Sequence, residues 1–334
     1  MPTKDELRIM QALDLETKIK KTKLRIREWV SYYGKDGVYV SFSGGKDSTV
    51  LLHIARQMYP DIEAVFVNTG LEYPEVQSFV KSFDNVTILR PKMRFDEVIK
   101  TYGYPFISKE VATKIYYLRK GSEWAKKKVF SNSKFSCERY APLVNVDFSI
   151  AFQCCNVMKK KPLHEYAKKN GKVPITAQTA EESMLRTSQW LKDGCNAFNN
   201  KFPVSNPMSF WTEQDILQYI KQNNLPVASV YGDIVYGEKN SAQYDDLLCD
   251  CGSKLCTTGC NRTGCIFCGF GAHLDKGESR FQCLKRSHPR QYEYCMSGGA
   301  YDTDGLWKPT KDGLGMAHCI DELNKIYGKN FIRY

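Results

Sequence analysis

The feature that most constrains this chain is an apolar strand that runs directly into a serine- and glycine-rich turn and then into a helix. The run reads Tyr39-Val40-Ser41-Phe42-Ser43-Gly44-Gly45-Lys46-Asp47-Ser48-Thr49-Val50-Leu51-Leu52. Two adjacent glycines permit a sharp turn and a close approach of the backbone to an anion. The N–H groups at the start of the following helix also attract negative charge. Together with Lys46 and the Ser43 and Ser48 hydroxyls, this pattern predicts a phosphate-binding loop.

Strands and helices alternate on both sides of the loop. The sequence predicts strands over 38–42, 62–67, 86–89 and 173–177, and helices over 4–33, 47–58, 74–82, 95–101, 109–120, 162–170, 181–190, 212–222, 286–296 and 316–327. A β-α-β-α-β order implies an α/β fold with a doubly wound, mostly parallel, Rossmann-like sheet. Ligands bind at the carboxyl ends of such strands, where both the loop and the turn Asn68-Thr69-Gly70 fall.

The length and the charge of the chain bound its organisation and its partners. The 334 residues, 42% of them hydrophobic, suffice for one large domain or two ordinary ones. We expect an N-terminal helix over 1–35, a nucleotide-binding domain over 36–235, and a Cys-rich metal-binding and helical region over 236–334. The 48 basic and 37 acidic residues leave a net charge of +11, which suits polyanionic ligands from nucleotides to nucleic acid.

The cysteine content points to metal or redox chemistry. No apolar region follows the first six residues, and no apolar run approaches the ~20 residues of a membrane span. The expected location is therefore the cytoplasm, with no membrane partner. Thirteen cysteines in a reducing compartment favour metal binding over a disulfide framework.

Several segments resemble one known family. The Ser-Gly-Gly-x-Asp-Ser loop is similar to the pyrophosphate (PP) loop of the ATP pyrophosphatase, or adenine nucleotide alpha-hydrolase, superfamily. The segments 66–74, 175–186 and 207–216 resemble the phosphoadenosine phosphosulfate (PAPS) reductase family within it. Asn68 stands where that family usually has Asp, and Ala177 and Thr179 stand where it has Gly and Arg.

The resemblance implies roles for individual residues. It implies catalytic roles for Lys46, Asp47 and Arg186, and nucleotide binding by Ser43, Gly44, Gly45, Lys46, Asp47, Ser48, Asn68, Thr69, Gly70, Ser183 and Arg186. A guanidinium at Arg186 would clamp a phosphate or sulfate through two parallel hydrogen bonds. Asp47 is the nearest carboxylate to hold the Mg²⁺ that accompanies ATP. Trp211 and Thr212 look structural, as a packing residue and a helix cap.

Two cysteine pairs resemble the motif of the iron–sulfur adenylyl-sulfate reductases. Cys154-Cys155 is followed by Lys159, Pro162 and Leu163 as in that motif, and Cys265-x-x-Cys268 supplies the later pair. The four thiolates would hold a [4Fe–4S] cluster, with four-cysteine Zn²⁺ as the alternative. A second group, comprising Cys249, Cys251, Cys256 and Cys260, would bind a separate Zn²⁺ or replace a cluster ligand. The scattered Cys137, Cys195, Cys283, Cys295 and Cys319 read as small apolar residues.

The intact loop and the cysteine pairs resemble the ATP-dependent sulfur-transfer branch, which includes a DNA phosphorothioation enzyme and cluster-bearing tRNA thiolases. The leading hypothesis is an ATP pyrophosphatase that adenylates a target for iron–sulfur-assisted sulfur transfer, with DNA or tRNA as the expected acceptor. One alternative is a sulfonucleotide reductase that forms sulfite, with Cys319 as substitute nucleophile. Another is a nucleotide or redox sensor without turnover. The sequence leaves open the sulfur donor, any thiol reductant protein, and the oligomeric state, a homodimer included.

Overall fold

The structure, a computed structural model, describes residues 2–133, 136–237 and 254–334. It divides into two compact units. The first comprises Met1–Asn68, Glu72–Leu89 and Leu163–Thr263, and the second comprises Thr69–Leu71, Arg90–Pro162 and Gly264–Tyr334. These units are discontinuous in sequence, because strand pairing joins segments that are distant along the chain. The three consecutive segments expected from the sequence stay a prediction.

The elements of the described residues follow the predicted alternation. The strands are β1 Val38–Ser41, β2 Ala64–Val67, β3 Val86–Leu89, β4 Phe106–Ile107, β5 Val173–Ile175, β6 Asn196–Ala197, β7 Val204–Ser205, β8 Ile234–Tyr236, β9 Leu255–Thr257, β10 Gly269–Phe270, β11 Ala300–Tyr301 and β12 Trp307–Lys308. The helices are α1 Lys4–Gln11, α2 Leu15–Tyr33, α3 Lys46–Met58, α4 Pro74–Lys81, α5 Phe95–Tyr102, α6 Lys109–Arg119, α7 Glu123–Val129, α8 Lys161–Asn170, α9 Met184–Asp193, α10 Glu213–Gln222, α11 Arg280–Ser287, α12 Pro289–Met296 and α13 Met316–Tyr327.

The first unit is built on a six-stranded sheet in the order β3-β2-β1-β5-β7-β6. All neighbouring strands are parallel except the edge pair β6 and β7, which is antiparallel. The predicted doubly wound α/β class is confirmed. Strand β1 is central, and the strand order reverses between β1 and β5. This reversal is the point where ligands bind in such sheets, and the phosphate loop follows β1 directly.

Helix α3 owes its position to its apolar side chains. Val50, Leu51, Ile54 and Ala55 are all fully buried against the sheet core, and they recur at helical spacing. The buried valine, leucine and isoleucine side chains each contribute about 1.5–3 kcal/mol relative to exposure. This packing fixes the first turn of α3, and therefore the loop before it.

Two predicted helices are in fact interrupted. The single helix expected over 4–33 is wrong, because the chain breaks after α1 and restarts at α2, where the Asp14 side chain caps the new helix by accepting from the Thr17 N–H at 2.8 Å. The helix expected over 286–296 is likewise two helices, and Pro289 starts the second of them. Pro lacks the N–H that a continuing helix requires, but it is accepted in a first turn.

Helix α2 is bound to the first turn of α10 and to the residues just before it. Lys18 is 1% exposed, and its Nζ donates to Asp215 Oδ2 at 2.6 Å. Thr22 Oγ1 accepts from the Trp211 indole N–H at 2.9 Å, and Thr212 caps α10 by accepting from the Asp215 N–H. The structural roles expected of Trp211 and Thr212 are therefore observed. This cap also fixes the position of Glu213, the first residue of α10, which is part of the site described below.

The second unit contains a small parallel pair, β4 with β10, and an antiparallel pair, β11 with β12. Tyr104 is buried between them and the C-terminal helices, and its hydroxyl donates to the Leu314 carbonyl at 2.7 Å. Arg119 donates to the carbonyls of Val146 and Phe148. The contacts of Arg119 hold the segment around Val146 and Phe148 against α6.

Among the described residues, every helix is too short or too polar to cross a bilayer.

Replacing Lys18 by Met should destabilise the first unit by about 3 kcal/mol, because removal of one partner leaves a buried charge uncompensated at Asp215. Urea denaturation monitored by circular dichroism measures this change. Lys20→Met is the matched control, since Lys20 pairs with Glu16 on the exposed face of the same helix and such pairs contribute at most ~1 kcal/mol. Equal stabilities for the two variants would contradict the assignment.

Candidate functional site

The phosphate loop runs from the end of β1 into the first turn of α3. Gly44 has φ = 71°, in the left-handed region that other residues rarely adopt. A β-carbon at Gly44 would lie 2.6 Å from the Val80 side chain and 2.8 Å from that of Val76. Both valines are buried on α4. Packing by a neighbouring helix therefore fixes the turn, and only glycine fits there.

Serine hydroxyls shape the loop from within. The hydroxyls of Ser43 and Ser48 lie 3.0 Å apart, and the Ser43 N–H donates to Ser48 Oγ at 3.2 Å. Ser48 Oγ also donates to the Gly45 carbonyl at 2.9 Å. The N-cap residue of α3 is Gly45, which has no side chain that could accept from the first amides of this helix. The six residues predicted for the loop form one turn.

Lys46 is buried inside this turn between two carboxylates. Its Nζ lies 3.2 Å from Glu213 Oε1 and 3.4 Å from Asp47 Oδ1. Burial lowers the pKa of Lys46, but the Asp47 and Glu213 carboxylates outweigh it, so that the net shift is upward. Burial raises the pKa of Asp47, against the opposing effect of Lys46. The ammonium is therefore charged and ready to contact an incoming anion.

Tyr231 closes the loop in a way that the sequence did not reveal. The Lys46 N–H donates to the Tyr231 hydroxyl at 3.2 Å, and this hydroxyl lies 2.6 Å from Thr263 Oγ1. Tyr231 is 2% exposed, and burial raises its pKa. The Tyr231 oxygen thus accepts a hydrogen bond from an amide that could otherwise donate to a phosphate oxygen. An isolated tyrosine between motifs carries no sequence signal. Glu213 lies within a segment that resembles the family, but its contact with Lys46 arises only from the tertiary fold.

Glu182 forms ion pairs with two arginines of the first unit. It pairs with Arg186, and its Oε2 lies 3.9 Å from Arg262 Nη1. Ser183 caps α9 by accepting from the Arg186 N–H. The charges of Glu182 and Arg262 both act on the carboxyl of Asp47. The structure therefore brings the Glu-Ser-x-x-Arg segment and the loop into one electrostatic environment.

The Asn68-Thr69-Gly70 turn divides between the two units. In the first unit, Asn68 follows β2 and its side-chain amide lies 3.4 Å from Gln77 Oε1. In the second unit, Thr69 Oγ1 accepts from the Leu71 N–H at 3.2 Å, and Gly70 has φ = 74°. The contribution of these residues to nucleotide binding stays a prediction.

The second unit contains the tandem cysteines and the later Cys-x-x-Cys pair. Cys154 and Cys155 begin a helical segment that continues as a π-turn over Asn156–Lys160, a rare conformation that is frequent at functional sites. Cys265 and Cys268 share a tight turn in which the Cys268 N–H donates to the Cys265 carbonyl at 3.0 Å. Arg280 donates to the Cys268 and Phe270 carbonyls and fixes the end of this turn.

The two cysteine pairs are close enough to raise the pKa values of one another's thiols. Burial raises the pKa of the Cys154 thiol, and Cys155, Cys265 and Cys268 raise it further. Burial also raises the pKa of Cys268, and Cys155 adds to this effect. No three Cys, His, Asp or Glu side chains in the described ranges are arranged to hold a single metal ion. Four cysteine thiols are the donor type that a [4Fe–4S] cluster uses, and ligation by these two pairs stays a prediction.

The other cysteines have different surroundings. Cys137, Cys195, Cys295 and Cys319 are buried, as expected of small apolar residues. The same expectation is wrong for Cys283, which is partly exposed. Burial raises the pKa of Cys319 well above its usual value. Cys256 and Cys260 lie in the first unit. Cys249 and Cys251 lie outside the described residues, so the second Zn²⁺ site stays a prediction.

Comparison with known proteins agrees with this architecture. A family model, the phosphoadenosine phosphosulfate reductase domain, matches residues 37–269, which include the whole sheet and both cysteine pairs. The chain belongs to the PAPS reductase family. The membership predicted from the motifs is thereby confirmed.

Relatives in this family include an uncharacterized protein and named reductases. A Methanocaldococcus jannaschii protein is 26% identical over 64% of this chain, and the match spans only 40% of that relative's length. The adenosine 5'-phosphosulfate reductase of Staphylococcus haemolyticus is 25% identical over 62% of this chain and 70% of its own. The crystal structure of a PAPS reductase from Candida auris aligns with a TM-score of 0.38 and 14% identity, covering 69% of this chain and 91% of that chain.

Gly44→Ala should weaken binding of inorganic pyrophosphate to this PAPS reductase family member and cost about 2 kcal/mol or more of stability, because a β-carbon adds strain and overpacks the valines. Calorimetric titration and urea denaturation measure the two effects. Gly37→Ala is the control, since the nearest atom to its β-carbon is at an ordinary contact distance of 3.5 Å. Unchanged pyrophosphate affinity in Gly44→Ala would exclude the loop as the anion site.

Tyr231→Phe should raise the affinity for pyrophosphate by about 2- to 10-fold, since it frees the Lys46 N–H from a competing hydrogen bond of ordinary strength. The same titration measures this gain. Tyr219→Phe serves as control, because Tyr219 is buried in the same unit and bonds His53 instead. Weaker binding in Tyr231→Phe would mean that the hydroxyl contacts the anion rather than competing with it.

Proposed function

We propose that this chain is an ATP pyrophosphatase that adenylates an acceptor oxygen in nucleic acid and thereby prepares it for replacement by sulfur. The observation that carries the proposal is the phosphate loop. Its Ser-Gly-Gly-x-Asp-Ser sequence is unaltered, its turn is fixed by packing at Gly44, and its lysine is buried and charged. A sulfonucleotide has no β,γ-pyrophosphate and does not require such a loop.

The proposed chemistry has two displacements. The acceptor oxygen attacks the α-phosphorus of ATP, the bond between the α-phosphorus and the bridging oxygen breaks, and pyrophosphate leaves with that electron pair. Sulfide then forms a bond to the acceptor atom, the acceptor–oxygen bond breaks, and AMP leaves. Adenylation makes a poor oxygen leaving group into a good one. Neither displacement changes an oxidation state, so no reductant is needed.

The residues of the first unit fit the first displacement. Backbone N–H groups of the loop and Lys46 would bind the leaving pyrophosphate, where charge develops as the bond breaks. Arg186 and Arg262 would exchange Glu182 for phosphate oxygens, to which guanidinium groups bind well. Asp47 would support the Mg²⁺ that neutralises the triphosphate.

The residues of the second unit fit an iron–sulfur centre. Cys154, Cys155, Cys265 and Cys268 would hold a [4Fe–4S] cluster, and Lys159 and Arg280 would offset its negative charge, since both act on the Cys268 thiol. When bound, such a cluster supplies a place to hold or deliver sulfide. The chain's own contribution is to keep these thiols together in a partly buried turn and π-turn.

A sulfonucleotide reductase is the second candidate, favoured by the relatives that carry the name adenosine 5'-phosphosulfate reductase. That reaction needs a thiolate that attacks the sulfur of the substrate. Cys319, the substitute suggested by sequence, is 0% exposed, and burial raises its pKa. Such a thiol is protonated and shielded, which weighs against its use as the nucleophile.

The deciding experiment gives anaerobically purified protein MgATP, sulfide and short DNA or tRNA acceptors, and measures AMP, pyrophosphate and acceptor-bound sulfur. We expect AMP and pyrophosphate in equal amounts. Lys46→Ala should reduce their formation by roughly 10-fold or more, because a hydrogen bond from a charged donor is lost. Cys265→Ser should lower iron content and sulfur incorporation.

Adenylyl sulfate and PAPS, each with a thiol reductant, form the parallel arm. Cys319→Ala is the matched cysteine control and should leave AMP formation and iron content unchanged. Sulfite release that disappears in Cys319→Ala would make the protein a reductase and overturn the proposal. Absence of AMP with every acceptor would also overturn it.

A further inference from the structure

The second unit carries an exposed cluster of aromatic rings beside lysines, which the proposed chemistry does not use. Helices α6 and α7 form a hairpin, and it presents Tyr116, Tyr117 and Trp124 next to Phe152. We call these four rings, together with Lys120, Lys127 and Lys128, the aromatic–lysine face. Trp124 is 49% exposed and Tyr117 is 39% exposed, which is unusual for rings of this size that contact one another.

The rings form one continuous group. The Tyr117 and Trp124 centroids are 6.0 Å apart, and Tyr116 and Tyr117 lie 5.4 Å apart. Phe152 is 5.7 Å from Tyr116 and 6.1 Å from Tyr117. Most of these pairs are edge-to-face, which suits their mutual packing. Tyr117 and Trp124 keep a large exposed surface within this group, on which flat molecules can stack.

Positive charge surrounds the rings. Residues 109–130 contain seven basic side chains and two acidic ones. The two acids, Glu110 and Glu123, are already paired with Lys114 and Lys126 at 2.7 and 2.6 Å. Lys120 Nζ lies 4.4 Å from the Tyr116 ring centroid. Within the described residues, Lys127 and Lys128 are exposed and form no ion pair.

We propose that the aromatic–lysine face binds single-stranded nucleic acid, with bases stacked on the rings and phosphates on the lysines. Exposed aromatic rings and a basic surface together are what sequence-tolerant binding of single strands requires. A duplex is a weaker match, because its bases are already stacked and only its phosphates remain available. An ordinary solvated helix needs its charges, but it does not need the two exposed rings Tyr117 and Trp124.

The position of the face relates it to the cysteine site of the same unit. Phe152, which contacts both tyrosines, precedes Cys154 by two residues in the chain. Bases stacked on these rings would therefore lie close to the start of the segment that carries the tandem cysteines. This inference rests on the proposed function and deepens it by naming a single-stranded acceptor and the surface that holds it.

Fluorescence polarisation of labelled oligonucleotides with the anaerobically purified full chain tests the proposal. Single-stranded DNA, single-stranded RNA of the same sequence, and the matching duplex are titrated without ATP. We expect tighter binding of a single strand than of the duplex, and the two single-stranded arms identify the sugar. Trp124→Ala should weaken binding by about 10-fold, the effect of losing one stacked base, while Trp124→Phe retains most of it.

The salt dependence of the affinity tests the role of the lysines. The double variant Lys127→Gln/Lys128→Gln should reduce the slope of log affinity against log salt by about 1.4, the value for two lost phosphate contacts on a single strand. Lys168→Gln/Lys169→Gln is the matched control, since it removes two adjacent exposed lysines from α8. Tyr32→Ala is the matched control for the rings, because Tyr32 is 69% exposed in the first unit.

The outcomes are distinct. Wild-type affinity in Trp124→Ala, equal losses in the control variants, or preferential Trp124-dependent binding of anionic phosphatidylserine vesicles would each overturn the proposal. Thermal denaturation of every variant separates lost binding from lost fold, and Trp124→Phe keeps the test valid if Trp124→Ala unfolds. Because binding is measured without ATP, a chain that binds single strands but forms no AMP would refute only the proposed adenylation.

Discussion

The contact between Gly44 and the two valines of α4 is the constraint on which the phosphate loop depends. Without this support the amides of the turn could rearrange. Each binding event would then lose free energy to the conformational entropy of ordering them. In this structure the turn is already ordered before a ligand binds, because helix α4, which follows β2, packs against it. The parallel sheet thus contributes directly to the chemistry, through the position of α4 beside the carboxyl end of β1.

The charges around the loop are balanced in pairs. Lys46 lies between two carboxylates, and Glu182 holds two arginines. Buried or partly buried charges need such partners, because an uncompensated charge in a poorly hydrated site is costly. A polyphosphate would replace the carboxylates as partner of the same cations. The resting network therefore keeps the cations in place at little cost and selects for a ligand of higher negative charge.

Much of the first unit was predictable because its signals are local. The strand, glycine turn and helix around Gly44 follow from residue spacing, and α10 follows from the Thr212 cap. The break before α2 was missed, since the apolar spacing runs through Asp14 and only the capping geometry reveals the restart. Tyr231 and Glu213 were also missed, because they reach the loop through the tertiary fold. The aromatic–lysine face depends on Phe152 meeting Tyr116 across a long stretch of sequence, which no local pattern encodes.

The discontinuous make-up of the second unit has a consequence for how the chain is made. Strand β4 is synthesised early, but its partner β10 and the helices that cover Tyr104 come near the end. Non-local pairing of this kind forms slowly, because a long loop must close before any contact rewards it. During synthesis Cys154 and Cys155 are consequently exposed long before Cys265 and Cys268 exist, and an exposed thiolate is open to oxidation. The nascent chain is therefore open to oxidation at its first cysteine pair during the time that the ribosome needs to reach the second pair.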